Sequence, residues 1–493
     1  MVVKVGKADV VFLNPPLTVE ERYDRAIGEV GGNLPPLGMS IMAAYLKEKG
    51  FNCMIIDGPV EAELSNEQFF EIIKQANPKI LCIAALTFNY FRANQFIEAF
   101  RKEFPDVLII LGGPHVTIFW YDIFARKCNF DLGVLGEAEA TLLELVEKFK
   151  QSNWDRKKFL SDTQQLRKIK GIAWQEEGKA MRTEERELIM DLNSLPFPAR
   201  ELLPQEKYIP LPNSYKKEPV AHIVAIRGCP YHCTFCHEAD TQKAFRARSP
   251  EKVMQEIKML RETYGVKEIS FWDDTLTQNK NYFNKLLDLM LAEKWDVVWS
   301  CYGRVDNVNP ELLKKMKQAG CWNIFYGLET GNQDILDTIK KGFKLETVRQ
   351  AVKWTKQAGI EIRASFMIAL PGETPEKAQN TINFAKELDP EYAHFCITAP
   401  FPGTQLYSEA EKYGKLNKDF TEFNMWHPVF VPYGYKDEKE VMLMERKAFR
   451  EFYFRPKYIL RRLTKIRNLT DIRRHLKGLK LALGFSFSEK LGS

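Results

Sequence analysis

No stretch of this chain is long and apolar enough to cross a bilayer. The apolar, charge-free run Val107 to Tyr121 falls short of the roughly 20 residues a spanning helix needs, and Gly112-Gly113-Pro114 interrupts it. Met1 to Lys7 carries lysines but no apolar core and no small-residue cleavage site, so a secretory leader is not expected. Internal repeats and low-complexity segments are lacking, which argues against repeat architectures and disordered tracts. Cysteine is sparse, nine in 493 residues; in a chain expected in the cytoplasm these read as thiols or metal ligands, not disulfides. What is present is an ordinary globular composition, 45% hydrophobic and 28% charged, in a chain long enough for two or three domains.

Three of the nine cysteines stand together in Arg227-Gly228-Cys229-Pro230-Tyr231-His232-Cys233-Thr234-Phe235-Cys236-His237. Their spacing is C-x-x-x-C-x-x-C, just after the strand-like run Ile223 to Ile226. Iron–sulfur cubes normally take four cysteines, so a loop with three leaves one iron open to a ligand. Zinc with His237 as fourth ligand, or a chance group of buried thiols, are the competing readings. The other six cysteines, Cys53, Cys82, Cys128, Cys301, Cys321 and Cys396, show no cluster spacing and read as structural, with Cys301 kept open for its nearness to Arg304.

Strands and helices alternate on both sides of this loop. Residues 8–150 read as a doubly wound parallel sheet, with strands at Val10–Leu13, Cys53–Ile56, Ile80–Ala85, Val107–Leu111 and Leu132–Leu135. Glycine- and proline-rich loops follow on one rim: Asn14-Pro15-Pro16, Asn33 to Gly38, Leu86 to Asn89, Gly112 to His115, and Gly136-Glu137-Ala138-Glu139. Ligands on such sheets bind beyond the carboxyl ends of the strands. Residues 151–205 read as a linker holding a hairpin, Gly171 to Met181, and Leu195-Pro196-Phe197-Pro198 as an extended connector. Residues 206–425 resume the alternation, with strands at His222–Ile226, Glu268–Trp272, Val297–Tyr302, Trp322–Tyr326, Glu361–Ile368 and Tyr392–Thr398. Residues 426–493 form a basic helical tail.

The cysteine loop, with Phe235 before its last cysteine, resembles the signature of radical S-adenosylmethionine (SAM) enzymes. The domain ahead of it resembles the cobalamin-binding domain of one large subclass, departing at Ala138, where that subclass usually has glycine. The fold class so implied is α/β: a Rossmann-like cobalamin-binding domain, a partial (β/α)6 barrel and the tail. The resemblance implies that Cys229, Cys233 and Cys236 hold a 4Fe–4S cluster whose open iron is chelated by SAM. It implies that Asp273 and Asp274, in place of the family's Gly-Gly-Glu, hold the SAM ammonium, with Phe235, Arg304 and Glu329 as further SAM contacts. It implies that Gly38, Thr87, Gly112, Gly113, Gly136 and Glu137 contact cobalamin. The D-x-H-x-x-G motif is missing, so no histidine would sit below cobalt. A domain that has lost cobalamin is the other reading.

The function implied is reductive cleavage of SAM to a 5′-deoxyadenosyl radical. A cobalamin-dependent C-methyltransferase acting on an unactivated carbon is expected first. Oxidative cyclisation of the anaerobic magnesium-protoporphyrin monomethyl ester type, or lipid modification without cobalamin, are the alternatives. A tRNA methylthiotransferase would need a second cysteine trio, which is lacking, so no nucleic-acid partner is expected; a non-catalytic iron–sulfur protein is disfavoured by the charged barrel rim. The expected partners are a small-molecule or lipid-like substrate and an electron donor such as ferredoxin or flavodoxin.

Residues 445–493 hold fourteen Lys or Arg against four Asp or Glu, a net +10 in a chain whose total is +6. Aromatic and aliphatic residues from Phe449 to Ile466 interleave with Arg455, Lys457, Arg461, Arg462, Lys465 and Arg467. Two readings stand: the apolar residues pack on the barrel, or the tail docks on the anionic inner membrane face. The expected location is the cytoplasm, with peripheral membrane contact on the second reading.

Overall fold

Val10 to Leu13, Ile80 to Ile83 and Leu108 to Leu111 are buried at every position, continuous apolar runs of the kind that need cover on both faces of a sheet. The structure, a computed structural model, describes residues 6–17, 32–61, 63–126, 128–237, 244–293, 296–423, 427–464, 466 and 469–487. The described residues divide into two compact units, with the boundary after Ile209.

The first unit is a seven-stranded sheet in the order β2-β1-β3-β4-β5-β6-β7. β1 (Val10–Asn14), β2 (Cys53–Asp57), β3 (Ile80–Ala84), β4 (Leu108–Gly112) and β5 (Leu132–Val134) are parallel. The strand order reverses between β1 and β3, the switch point at which doubly wound sheets bind ligands. The helix Pro114–Phe124 was not expected; Gly112 to His115 reads as a rim loop, yet Pro114 occupies the first helical turn, where a missing N–H is harmless. The hairpin β6 (Ile172–Glu176) and β7 (Lys179–Arg182) forms around Glu177 and Gly178, both at positive φ. It joins the sheet antiparallel to β5 and so extends this unit.

The second unit is built on six parallel strands, β8 (Val220–Ile223), β11 (Glu268–Phe271), β12 (Val298–Gly303), β13 (Cys321–Glu329), β14 (Glu361–Ile368) and β15 (Tyr392–Ile397), adjacent in that order. β8 and β15 do not pair, so the barrel is open. One face carries the contacts Phe271–Trp299 and Phe283–Trp299 against the outer helices. On the other, concave face, edge-to-face ring contacts run His222–Trp272, Trp272–Tyr302, Tyr302–Phe325 and Phe325–His394.

The first expected barrel strand is split. After β8 the chain leaves the sheet, and β9 (Ile226–Arg227) pairs antiparallel with β10 (Arg246–Ala247). The fourth strand runs three residues beyond Tyr326, to Glu329, with a register shift between Gly327 and Glu329.

The tail packs on the open side of the barrel. Phe395 of β15 meets Phe449 and Phe452 of the helix Glu438–Tyr453, and both are buried. Arg455 and Arg461 bind Asp389, and the Tyr458 hydroxyl donates to the Glu391 carbonyl. The packing reading therefore holds for this part. Leu460, Leu463, Leu476, Leu479 and Leu483 remain exposed. Lys465 and Arg467 lie outside the described residues. Among the described residues no helix is long and apolar enough to cross a membrane.

Candidate active site

The cysteine loop lies between β9 and β10, at the carboxyl ends of the barrel strands where barrel folds gather function. Asp273 makes the departure from β8 possible. It is buried, and its Oδ1 accepts the backbone N–H groups of Ala225 and Ile226 at 2.6 Å each. Burial pushes its carboxyl up to about 7. Through Oδ1, Asp273 positions the loop, while its Oδ2 is buried with no hydrogen-bond partner among the described residues. Asp274 is exposed and accepts a backbone hydrogen bond from Gly228.

The loop is fastened at several points. Thr234 donates its N–H to Ile339, Leu406 donates to the Thr234 carbonyl, and the Cys236 N–H closes a turn onto Cys233. Tyr231 donates its hydroxyl to Asn307 and lies under the Arg304 guanidinium, 3.5 Å from ring centroid to Cζ. Arg304 is held by Asp306 through two bonds, 3.0 and 2.9 Å, and by the Lys341 carbonyl at 2.7 Å. Its remaining nitrogen, Nη1, is 4.0 Å from Cys233 Sγ.

Glu329 sits at φ +64°, a region costly for any residue with a side chain. A Cβ at Gly327 would collide with its carboxylate, so glycine there lets Glu329 fold back. The carboxylate meets Lys341 Nζ at 2.6 Å; the two side chains are 7% and 9% exposed. Lys341 also lies over Phe235, 5.5 Å from the ring centroid. Burial works against the Lys341 charge, but Glu329 and Cys233 hold it, and its pKa is raised. Cys233, Phe235, Arg304 and Glu329 are thus brought together, with Tyr231 and Lys341 added. Lys341 was missed because Lys340-Lys341-Gly342 reads locally as a solvated turn; only Gly342, at positive φ, hints at a constrained backbone.

Cys229 and Cys233 are free thiols. Burial raises the Cys229 thiol, while a backbone hydrogen bond from Tyr231 and the Arg304 charge oppose it. Two cations close to Cys233 suit a thiolate ligand. Among the described residues no three His, Cys, Asp or Glu side chains converge on a single-ion point. Cys301 and Cys321 are buried beside one another on the barrel wall, away from this chemistry.

In the first unit the rim loops stand where the switch point places them. Gly113 is at φ +103°, and a Cβ there would lie 2.6 Å from the Ala85 carbonyl, so only glycine fits the approach of this loop to the end of β3. Gly136, at φ +70°, has open space about its missing Cβ and donates its N–H to Thr117. Gly112 ends β4, and Gly38 lies in the first turn of the helix Leu37–Glu48, also with open space beside it. Thr87 is buried and meets His115 Nδ1 at 3.3 Å, next to the exposed Leu86. Glu137 does not point freely into the rim; its Oε2 accepts the Ile189 N–H. His115 is the one histidine before residue 209, is 2% exposed, and packs against Tyr90 and Phe119. Burial lowers its pKa to about 4. An open glycine rim without an accessible histidine fits a corrinoid held with no protein histidine on cobalt.

The Radical SAM superfamily profile matches residues 223–385, and the B12 binding domain profile matches residues 24–146. An uncharacterized methyltransferase of Pyrococcus horikoshii is 33% identical over 476 residues, covering 95% of this chain and 97% of that one. The anaerobic magnesium-protoporphyrin IX monomethyl ester cyclase of Rubrivivax gelatinosus is 27% identical over 485 residues, covering 98% of this chain and 83% of that one. The radical SAM methyltransferase TsrM from Kitasatospora setae, solved with cobalamin and a 4Fe–4S cluster bound, shares the fold at a TM-score of 0.68 and 15% identity, covering 96% of this chain and 98% of that one. With its two profile matches in the order the strand-end loops and glycine rim call for, the chain belongs to the radical SAM superfamily, in the branch of enzymes that carry a B12 binding domain ahead of the barrel.

Proposed function

We propose that this enzyme transfers a methyl group to an unactivated carbon of a small molecule, using SAM, a 4Fe–4S cluster and cobalamin. The observation that carries the reading is the strand-end group of Cys233, Arg304, Lys341 and Glu329, in which two fixed cations face a cluster-type thiol. When bound, the cluster and SAM supply a 5′-deoxyadenosyl radical that abstracts hydrogen, and cobalamin supplies the methyl group. Cys229, Cys233 and Cys236 are the ligands of the cluster. Arg304 fixes the loop and stabilises thiolate charge, and Glu329 with Asp274 accepts hydrogen bonds from SAM. Lys341 keeps Glu329 ionised, and Asp273 holds the backbone that sets the first cysteine. Gly38, Thr87, Gly112, Gly113 and Gly136 form the corrinoid rim, with Glu137 bracing it. The protein supplies orientation and exclusion of water.

Anaerobic reconstitution should yield about four irons per chain by cluster stoichiometry. Dithionite-reduced enzyme should release 5′-deoxyadenosine from SAM, and methyl-labelled SAM should pass its label to product. Reductive cleavage surviving in the triple Cys229, Cys233, Cys236→Ala variant would sink the assignment. Cobalamin retained base-off, read by visible spectroscopy, is the expected result; no retained corrinoid would leave a radical enzyme that cannot methylate in the proposed way. A ferredoxin- or flavodoxin-type protein is the electron donor on this reading. The exposed leucines of the tail beside its basic residues support peripheral contact with anionic membrane. Salt-sensitive co-sedimentation with anionic but not neutral vesicles tests that point.

A further inference from the structure

Arg363 lies on β14 with its side chain on the concave face, in register with Phe325 of β13 and Tyr392 of β15. It is 5% exposed. Its Nε donates to Asn323 Oδ1 at 2.8 Å, and its guanidinium lies over Phe325 at 5.2 Å and Tyr302 at 6.0 Å. Among the described residues neither Nη1 nor Nη2 has an acceptor, and no carboxylate pairs with this cation. Guanidinium does not shed its proton in proteins, so the charge stays. Elsewhere in this unit Arg248, Arg304 and Lys341 each meet a carboxylate, Glu256, Asp306 and Glu329.

The carboxylate within electrostatic range is Glu268. It is already occupied: its oxygens accept the N–H groups of Lys216 and Lys217 and the Trp322 indole. Burial pushes its own pKa up to about 7, which weakens it as a counter-charge near neutrality. A buried cation on the concave face whose forked donors have no acceptor among the described residues is an oxyanion site awaiting its ligand. The walls beside it are the rings of Tyr302, Phe325 and Trp272, the last 39% exposed.

We infer that Arg363 anchors an oxyanion of the substrate at the floor of the barrel well, and that the substrate is a flat, apolar molecule carrying that anion. Arg363 stands five residues before Ile368, the end of β14, which is roughly 16 Å along a strand. After the reach of the arginine side chain, the distance from anion to reacting carbon is on the order of 10 Å, so the substrate is at least bicyclic or of similar length. The choice of reacting carbon rests on the radical reaction proposed above; the anion site does not.

The test uses full-length, cluster-loaded protein and three probes by calorimetry: 2-naphthylacetate, its neutral isostere 2-naphthylacetamide, and 2-naphthylmethylphosphonate. An anion should bind at least tenfold tighter than the amide, and whichever anion binds tighter names the group. R363M should erase the preference and R363K should keep part of it. Its thermal midpoint without probe should be unchanged or higher in R363M, because an unpaired buried charge is removed. A lowered midpoint or a misfolded R363M would mark a structural role and overturn the inference. So would equal affinity for acetate and amide, a preference that survives R363M, or no anion binding at millimolar concentration. 5′-Deoxyadenosine release is measured in parallel. Its absence in wild type overturns the radical reading while the anion preference stands on its own, and its presence without a preference overturns only the inference.

Discussion

Replacing Lys341 by methionine leaves the Glu329 carboxylate buried with its hydrogen-bonded counter-ion gone. The pair is closed at 2.6 Å and both side chains are under 10% exposed, so solvent screens little of the effect. Breaking such a pair from one side costs roughly 3–5 kcal/mol, most of it the penalty of an uncompensated buried charge. In a unit of this size each kcal/mol moves the midpoint by about 2 °C, so the second unit should melt roughly 6–10 °C lower. Adding Glu329→Gln removes the stranded charge and should recover at least about half of the loss. The assay is calorimetry of the full chain under anaerobic conditions, with the four proteins of the cycle compared at one pH and one iron loading. A single-variant shift under about 2 °C, or a double variant no better than Lys341→Met, would refute the view that the pair carries its charges in a closed environment.

Arg304→Lys loses the two-pronged grip on Asp306 and the stack on Tyr231, and bound iron after reconstitution should fall about tenfold or more at limiting metal. Gly113→Ala forces a Cβ against the Ala85 carbonyl at positive φ, and denaturant melts should show the first unit weakened by about 2–4 kcal/mol. His115 is kept neutral by burial, its pKa lowered from 6.5 to about 4. Its stabilising contribution is complete above pH 6.5 and is lost as pH falls toward 4, at up to about 1.4 kcal/mol per pH unit. The first unit of His115→Gln should therefore show a flatter loss of stability with acid than wild type; parallel slopes would rule the account out.

The parallel strands of the first unit were legible because each is a short, largely apolar run between turn signals, and Cys229 to Cys236 announce their chemistry by spacing alone. What was not legible depends on partners far along the chain. Nothing local to Asp273 shows that one of its oxygens accepts backbone groups 47 and 48 residues earlier. That same capture breaks the first barrel strand, which local propensity reads as continuous. Lys341 and Arg363 illustrate the same limit from the cationic side. One sits in a lysine-glycine turn and the other inside a β-branched strand pattern, and nothing local distinguishes a buried charge from a solvated one. Phe449 and Phe452 were open to two readings because amphipathic helices present the same pattern to a membrane and to a sheet.

An open barrel leaves a strand edge to be guarded, and β15 is guarded by a phenol. The Tyr453 hydroxyl accepts the Ala393 N–H at 3.1 Å and donates to the Ala393 carbonyl at 2.8 Å, both on the same residue of the edge. Tyr458 donates its hydroxyl to the Glu391 carbonyl just before β15, so two tyrosines take up backbone groups that a neighbour strand would otherwise pair. Unguarded edges recruit strands from other molecules, which makes the helix Glu438–Tyr453 a shield against self-assembly as much as a buttress. A shortened version of the enzyme ending before that helix would keep its cysteines and its glycine rim, and would be expected to come out of solution as fibres or inclusion bodies.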